Sequence, residues 1–158
     1  MSSADATDTF RRLHESGCFV IPNAWDVGSA KQLAGLGFKA LATTSSGAAW
    51  AHGRPDGGLT LDEMLTHIVD VVAATDLPVN ADFMNGYADD PKEVGANVVR
   101  CVDTGVAGLS IEDSTGDPAH PVQHSVITAS SLGRFLRGVV IPSDLGSSLM
   151  TAGVMGTF

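Results

Sequence analysis

The sequence predicts an α/β fold, a parallel sheet covered by helices. Three observations carry this. Four short apolar runs recur along the first 122 residues, each too short for a helix and each ended by polar residues. Segments of helical periodicity separate them. The resulting order, a helix and then βαβαβαβ, is the pattern of a parallel sheet with helices on its faces. A doubly wound sheet and a (β/α)8 barrel both fit, and periodicity does not separate them. In both, chemistry gathers at the carboxyl ends of the strands.

The elements follow in order. Asp8 to Glu15 reads as a short lead-in helix. CFVIPN (18–23) is a compact apolar run ended by Pro22 and suits a buried strand. VGSAKQLAGLG (27–37) has helical spacing through Val27, Ala30, Leu33 and Ala34, with Gly35 or Gly37 ending it. KALATTSS (39–46) is a second strand running into a polar loop. LTLDEMLTHIVDVVAAT (59–75) is the clearest helix. Thr60 caps it, Glu63 completes a capping box, and Leu61, Leu65, Ile68 and Val72 form its buried face. LPVNAD (77–82) is the third strand. DDPKEVGANVVRCVDTG (89–105) is a helix capped by Asp90, with Pro91 in its first turn and Gly105 as its stop. VAGLSIED (106–113) is the fourth strand.

Composition bounds the function. The chain has 158 residues, 44% hydrophobic and 17% charged, which suits one packed domain. Nine Lys and Arg against 18 Asp and Glu give a net charge of −9. Nucleic-acid binding, which needs cations against phosphate, and docking on anionic membrane are therefore not expected. Cys18 and Cys101 make neither a disulfide framework nor a zinc motif, and both read as buried small apolar groups. The N-terminus lacks a signal peptide's apolar core, and no run of about 18 apolar residues is present. A cytoplasmic location is the expectation. No GxGxxG follows the first strand and no GxxxxGK[ST] occurs, which argues against a nucleotide-binding module.

Charge also divides the chain. Residues 1–122 hold 7 basic and 17 acidic side chains, whereas residues 123–158 hold only Arg134, Arg137 and Asp144, with six serines and a patchy apolar pattern. A boundary is expected near Val122, with a divergent tail over 123–158.

Polar residues crowd the strand ends: Asn23, Trp25 and Asp26 after the first, Thr43 to Gly47 and then His52, Arg54 and Asp56 after the second, Asp82, Asn85 and Tyr87 after the third, Glu112 and Asp113 after the fourth. Asp56, Asp82 and Glu112 come from three separate loops and are expected on one rim. Like charges brought together call for a cation, and an all-oxygen set suits magnesium or manganese. Asp26 and Asp90 read instead as helix caps. His14 and His67 read as surface or boundary helix residues, and Trp25 and Trp50 as packing residues.

At these positions the sequence resembles the isocitrate lyase/phosphoenolpyruvate mutase superfamily, closest to its phosphonomutase-like branch. The matching stretches are PNAWD (22–26), GFKALATTSSGAAWAHGRPD (37–56), NADFMNGYADDP (80–91) and GVAGLSIEDSTGD (105–117), in order and with the family's spacing. The resemblance implies a (β/α)8 TIM barrel with Mg2+ (or Mn2+) at its C-terminal mouth. It also implies a lyase- or mutase-type reaction that makes or breaks a C–C or C–P bond beside a small 2-oxo or 2-hydroxy carboxylate, through an enolate. Carried over by position, Asp82 is the direct metal ligand. Asp56 and Glu112 hold the metal's water shell, and Thr44, Ser45 and Ser46 hold the substrate's anionic end. Tyr87 occupies the family's aromatic position after the metal strand.

The chain departs from the family in three places. Met84 stands where a second carboxylate is usual, and a thioether is a poor magnesium ligand. STGDPAHPV (114–122) lacks the Lys-(Lys/Arg)-Cys-Gly-His loop of isocitrate lyases and the lysine and asparagine of the mutase loop. The resemblance also ends near Pro121, whereas a complete barrel takes about 250 residues. The expectation is therefore an incomplete barrel of about four parallel strands over residues 1–122. Its open edges and apolar inner face would favour association with another copy. A non-catalytic truncated fragment that oligomerises is the alternative to an active enzyme.

Overall fold

The computed structural model describes residues 3–112, Ala119 and the backbone of residues 154–157. Helix α1 spans Ser3–Leu13, with Asp5 in its first turn and Arg11 and Arg12 in its last, each charge opposing the helix dipole. It starts ahead of the expected segment because Ala6 and Phe10 give it a buried stripe. Strand β1 is only Asn23–Ala24. The remainder of the expected strand over 18–23 has no regular element, and Val20 is 66% exposed. The chain there lies at the sheet's edge, where Pro22 can still accept a bond, from the Ala42 amide at 2.9 Å, but has no N–H to donate.

Helix α2 (Val27–Gly35) begins at Asp26, which forms a reciprocal capping box with Ser29. Strand β2 is Leu41–Thr43. The expected polar loop after it is in fact helix α3, Ser45–Ala51, capped by Thr44. Ser and Gly at its start hid its helical character, but Ala48 and Ala49 are fully buried, and that burial outweighs weak propensity. Helix α4 (Leu61–Ala73) has the anticipated Thr60–Glu63 capping box. Strand β3 is Val79–Asp82. Helix α5 (Pro91–Val102) is capped by Asp90, whose carboxylate accepts from the Lys92 and Glu93 amides. Strand β4 is Gly108–Ile111, and β5 is Val154–Thr157.

The sheet order is β1-β2-β3-β4-β5. The first four strands are parallel and in sequence order. β5 runs antiparallel along β4, pairing Gly108 with Thr157 and Ile111 with Val154. Among the described residues the sheet is not closed. Because strand residues alternate faces, Leu41 and Val79 pack with Ala30 and Val71, while Ala81, Leu109 and Ile111 pack with Ile68, Val94 and Val98. The helices therefore cover one face. The opposite face carries Ala42, Asn80, Asp82, Gly108, Ser110 and, just past β4, Glu112. It is small and polar, not the apolar interior expected of it. A third cluster, Ala6, Phe10, Ala40 and Ala107, seats α1 at the amino end of β2 and β4.

Candidate functional site

Asp82 ends β3 and is held from three sides. Its backbone N–H donates to Thr43 Oγ1 at 2.9 Å. Its Oδ2 accepts from the Ser45 amide at 2.7 Å, and Oδ1 faces the Met84 amide at 3.5 Å. Ser45 opens α3, so the carboxylate sits at a helix N-terminus, where donors are unspent. The 3.3 Å bond from the Gly47 amide to Thr44 Oγ1 fixes that turn, and Ser46 Oγ lies 3.3 Å from the same oxygen. Thr44 and Ser45 are buried.

Beyond Asp82 the chain turns sharply. Met84 (φ 47°) and Tyr87 (φ 59°) both adopt left-handed backbone, unusual for residues with side chains. Gly86 lies between them at φ 79°, and Asn97 of α5 donates to its carbonyl at 2.9 Å. Met84 is where the acidic stretches meet. The Glu112 amide donates to its carbonyl at 2.7 Å. Its Cε comes within 3.6 Å of where a β-carbon on Gly57 would stand, beside Asp56. Asp56 and Glu112 are exposed and Asp82 is half-buried. The three stretches thus come together, but among the described residues no set of three or more His, Cys, Asp or Glu side chains is arranged to hold a metal ion.

Tyr87 packs on Phe83 with ring centres 5.3 Å apart. Its hydroxyl is buried without a hydrogen-bond partner. Burial, and then the charges of Asp82, Cys101 and Asp56, push its pKa far up, so it is a neutral phenol at any physiological pH.

Two site-facing residues escape sequence reasoning. Asn80 Nδ2 donates to Ser110 Oγ at 2.8 Å across the polar face, and Asn80 Oδ1 is buried without a partner. The signal was the alternation itself. Asn80 lies two residues before Asp82, and Ser110 two before Glu112, so each pair shares a face.

Asp26 caps α2 as expected, its carboxyl held below the usual range chiefly by the Ser29 amide. Trp25 and Trp50 pack edge-to-face at 5.5 Å, yet remain 46% and 54% exposed. Cys101 is buried, but Cys18 is exposed, because the segment expected to bury it is not a strand. His67 is not a surface residue. It lies on the buried face of α4. His120, His124, Arg134 and Arg137 lie outside the described residues.

Four parallel strands in sequence order, helices on one face and acidic strand-end loops fit the α/β barrel fold of the superfamily's solved structures. The phosphoenolpyruvate phosphomutase family model matches residues 10–135, past the compositional boundary at Val122. The chain belongs to that family, within the phosphoenolpyruvate mutase/isocitrate lyase superfamily. It is 36% identical over 110 residues to an uncharacterised protein of Mycobacterium tuberculosis, covering 69% of this chain and 42% of that one. It is 37% identical over 100 residues to 2,3-dimethylmalate lyase of Eubacterium barkeri, covering 60% and 33%. Its fold matches the crystal structure of a lyase/mutase homologue from Burkholderia cenocepacia J2315 with a TM-score of 0.74 at 47% identity, covering 77% of this chain and 44% of that one. The chain thus spans well under half the length of these relatives. Among the described residues no helix is long and apolar enough to cross a membrane.

Proposed function

We propose that this chain carries the metal- and carboxylate-binding part of a lyase-type site for a small 2-oxo or 2-hydroxy acid, with Mg2+, or Mn2+ in its place, as cofactor. The observation that carries the proposal is the meeting of the Asp56, Asp82 and Glu112 stretches around Met84, with Asp82 anchored on the Ser45 amide. The donor chemistry fits magnesium. This ion keeps several waters and takes one or two carboxylates, so it needs no closed cage of three side chains. Asp82 would hold it directly. Asp56 and Glu112, both exposed to solvent, would act through the ion's water shell. When bound, the metal supplies the Lewis acidity that stabilises an enolate's charge.

The chain's own groups do the rest. With the Ser45 amide engaged by Asp82 and Thr44 Oγ1 accepting from the Gly47 amide, it is the O–H donors of Thr44, Ser45 and Ser46 that would hold the substrate's anionic end. Tyr87, neutral and with an unspent hydroxyl, offers a hydrogen-bond donor without adding charge. Met84 removes one negative charge from the pattern usual in the family. The lyase activity named for the relative from Eubacterium barkeri supports a lyase-type reaction on a small carboxylate. Calorimetric titration with Mg2+, with and without oxalate as an enolate mimic, tests the reading. Oxalate-dependent binding that disappears in Asp82→Ala is expected. Absence of binding in the wild type would refute it.

A second reading is a non-catalytic chain, with residues 1–122 as half a barrel and 123–158 as a divergent tail, that associates with its own copies. The unclosed sheet and the exposure of Val20, Trp25 and Val27 beside β1 favour it. Sedimentation as a monomer at every concentration would remove it.

A further inference from the structure

His67 is the one histidine among the described residues that the fold buries, at 7% exposed, and its Nε2 has no hydrogen-bond partner. It lies among the buried residues of α4, and both α2 and α3 pack on that helix. The charged groups that act on it come from each neighbour: Asp26 at the start of α2, His52 at the end of α3, and Asp70 on α4 itself. α5 and β3, which also pack on α4, contribute none of comparable effect. Asp26 has already committed its Oδ1 to the Ser29 amide at 2.7 Å, and His52 Nδ1 lies 2.9 Å from the Ala48 carbonyl. A protonated ring at position 67 would place an N–H without an acceptor inside the fold, facing a second histidine. Burial, then His52, accordingly holds its pKa below the ordinary histidine value, against the smaller pull of Asp70 and Asp26.

What this pressure acts on is α3. Seven residues cannot hold a helix alone. α3 stays in place through its packing on α4, the Asp82–Ser45 bond, and the Trp25 ring lying over Gly47, where a β-carbon would come within 2.7 Å of Cδ1.

We propose that protonation of His67 in mild acid unseats α3 from α4 and releases the Ser45 amide from Asp82. Release of α3 stands on packing alone. Its consequence for ligand binding rests on the role given to Asp82 above, so the test reads α3 itself and not the ligand.

Of the chain's two tryptophans, Trp50 lies in α3 and Trp25 packs over it, which makes intrinsic fluorescence and near-UV circular dichroism local reporters. Titration of the full chain from pH 8 to pH 4.5 should show a reversible change with its midpoint below about 6.5, while far-UV dichroism keeps most of the helix signal. His67→Gln should lose the change. His52→Gln should keep it and move its midpoint upward, because a neighbouring positive charge is gone. A flat titration in the wild type, an unaltered transition in His67→Gln, or an unmoved midpoint in His52→Gln would each overturn the proposal. Should His67→Gln not fold, the His52→Gln shift and the ring-proton NMR titration of His67 in the wild type decide it.

Discussion

Gly86 and Gly57 both have positive φ, 79° and 73°, yet they should respond differently to alanine. At Gly57 the new β-carbon meets only Met84 Cε, at 3.6 Å, an ordinary contact. The cost there is backbone strain alone, about 1–2 kcal/mol for a side chain in left-handed backbone. At Gly86 the same strain applies, but the β-carbon also lands 2.8 Å from Val94 Cγ1. Val94 is a fully buried residue of α5 and has nowhere to go. Overpacking of this kind adds about 1–3 kcal/mol, so Gly86→Ala should cost about 2–5 kcal/mol. Such a loss is a large share of a domain's usual margin of about 5–15 kcal/mol. Urea denaturation followed by far-UV circular dichroism measures both variants. Equal losses, or a Gly86→Ala variant within about 0.5 kcal/mol of wild type by the same extrapolation, would refute the argument that the turn after Asp82 is wedged against α5.

Three further outcomes are expected. Thr60→Ala should lose about 1 kcal/mol through the cap of α4, read by thermal unfolding, with no loss refuting the capping box. The carboxyl of Glu63 is held down to about 2 by the Thr60 amide, then the Arg54 guanidinium, then the Thr60 hydroxyl. A depressed acid stabilises the fold above its ordinary value of 4.5, and that contribution is lost as pH falls from there through about 2, so Glu63→Gln should flatten the stability profile across this window. Finally, burial pushes the Cys101 thiol up to about 12, whereas Cys18 is exposed, so a thiol reagent at pH 8 should modify one cysteine rapidly and the other only on unfolding. Two fast equivalents would contradict the packing of α5.

The sequence made the capped elements legible and the uncapped ones less so. The Thr60 capping box and the Asp90-Pro91 start stand where the sequence set them, because each rests on local chemistry, while the buried face of α4 keeps Leu65 and Ile68 but is completed by Met64, His67 and Val71, with Leu61 and Val72 only half-buried. The segment 18–22 and helix α3 did not, because tertiary placement decides them. An apolar run at a sheet edge has too few partners to become a full strand, and SSGAAWA is a weak helix until Ala48 and Ala49 are buried. His67 escaped for the same reason, since helical phase put it on the inner face regardless of its polarity. In the site, strand-end position singled out Asp82 and Glu112 as candidates, and the structure joins their stretches through the bond from the Glu112 amide to the Met84 carbonyl. The Asp82–Ser45 bond was not legible, because it joins residues 37 apart through a helix that periodicity did not reveal.

The central claim is that the stretches bearing Asp56, Asp82 and Glu112 share one divalent ion. Paramagnetic Mn2+ at low stoichiometry, added to the 15N-labelled full chain with oxalate present, tests it most directly. Amide resonances of Asp56, Gly57, Asp82, Phe83, Met84 and Glu112 should broaden first and together. Broadening centred on any other part of the fold, or spread evenly over its acidic surface, would contradict the account.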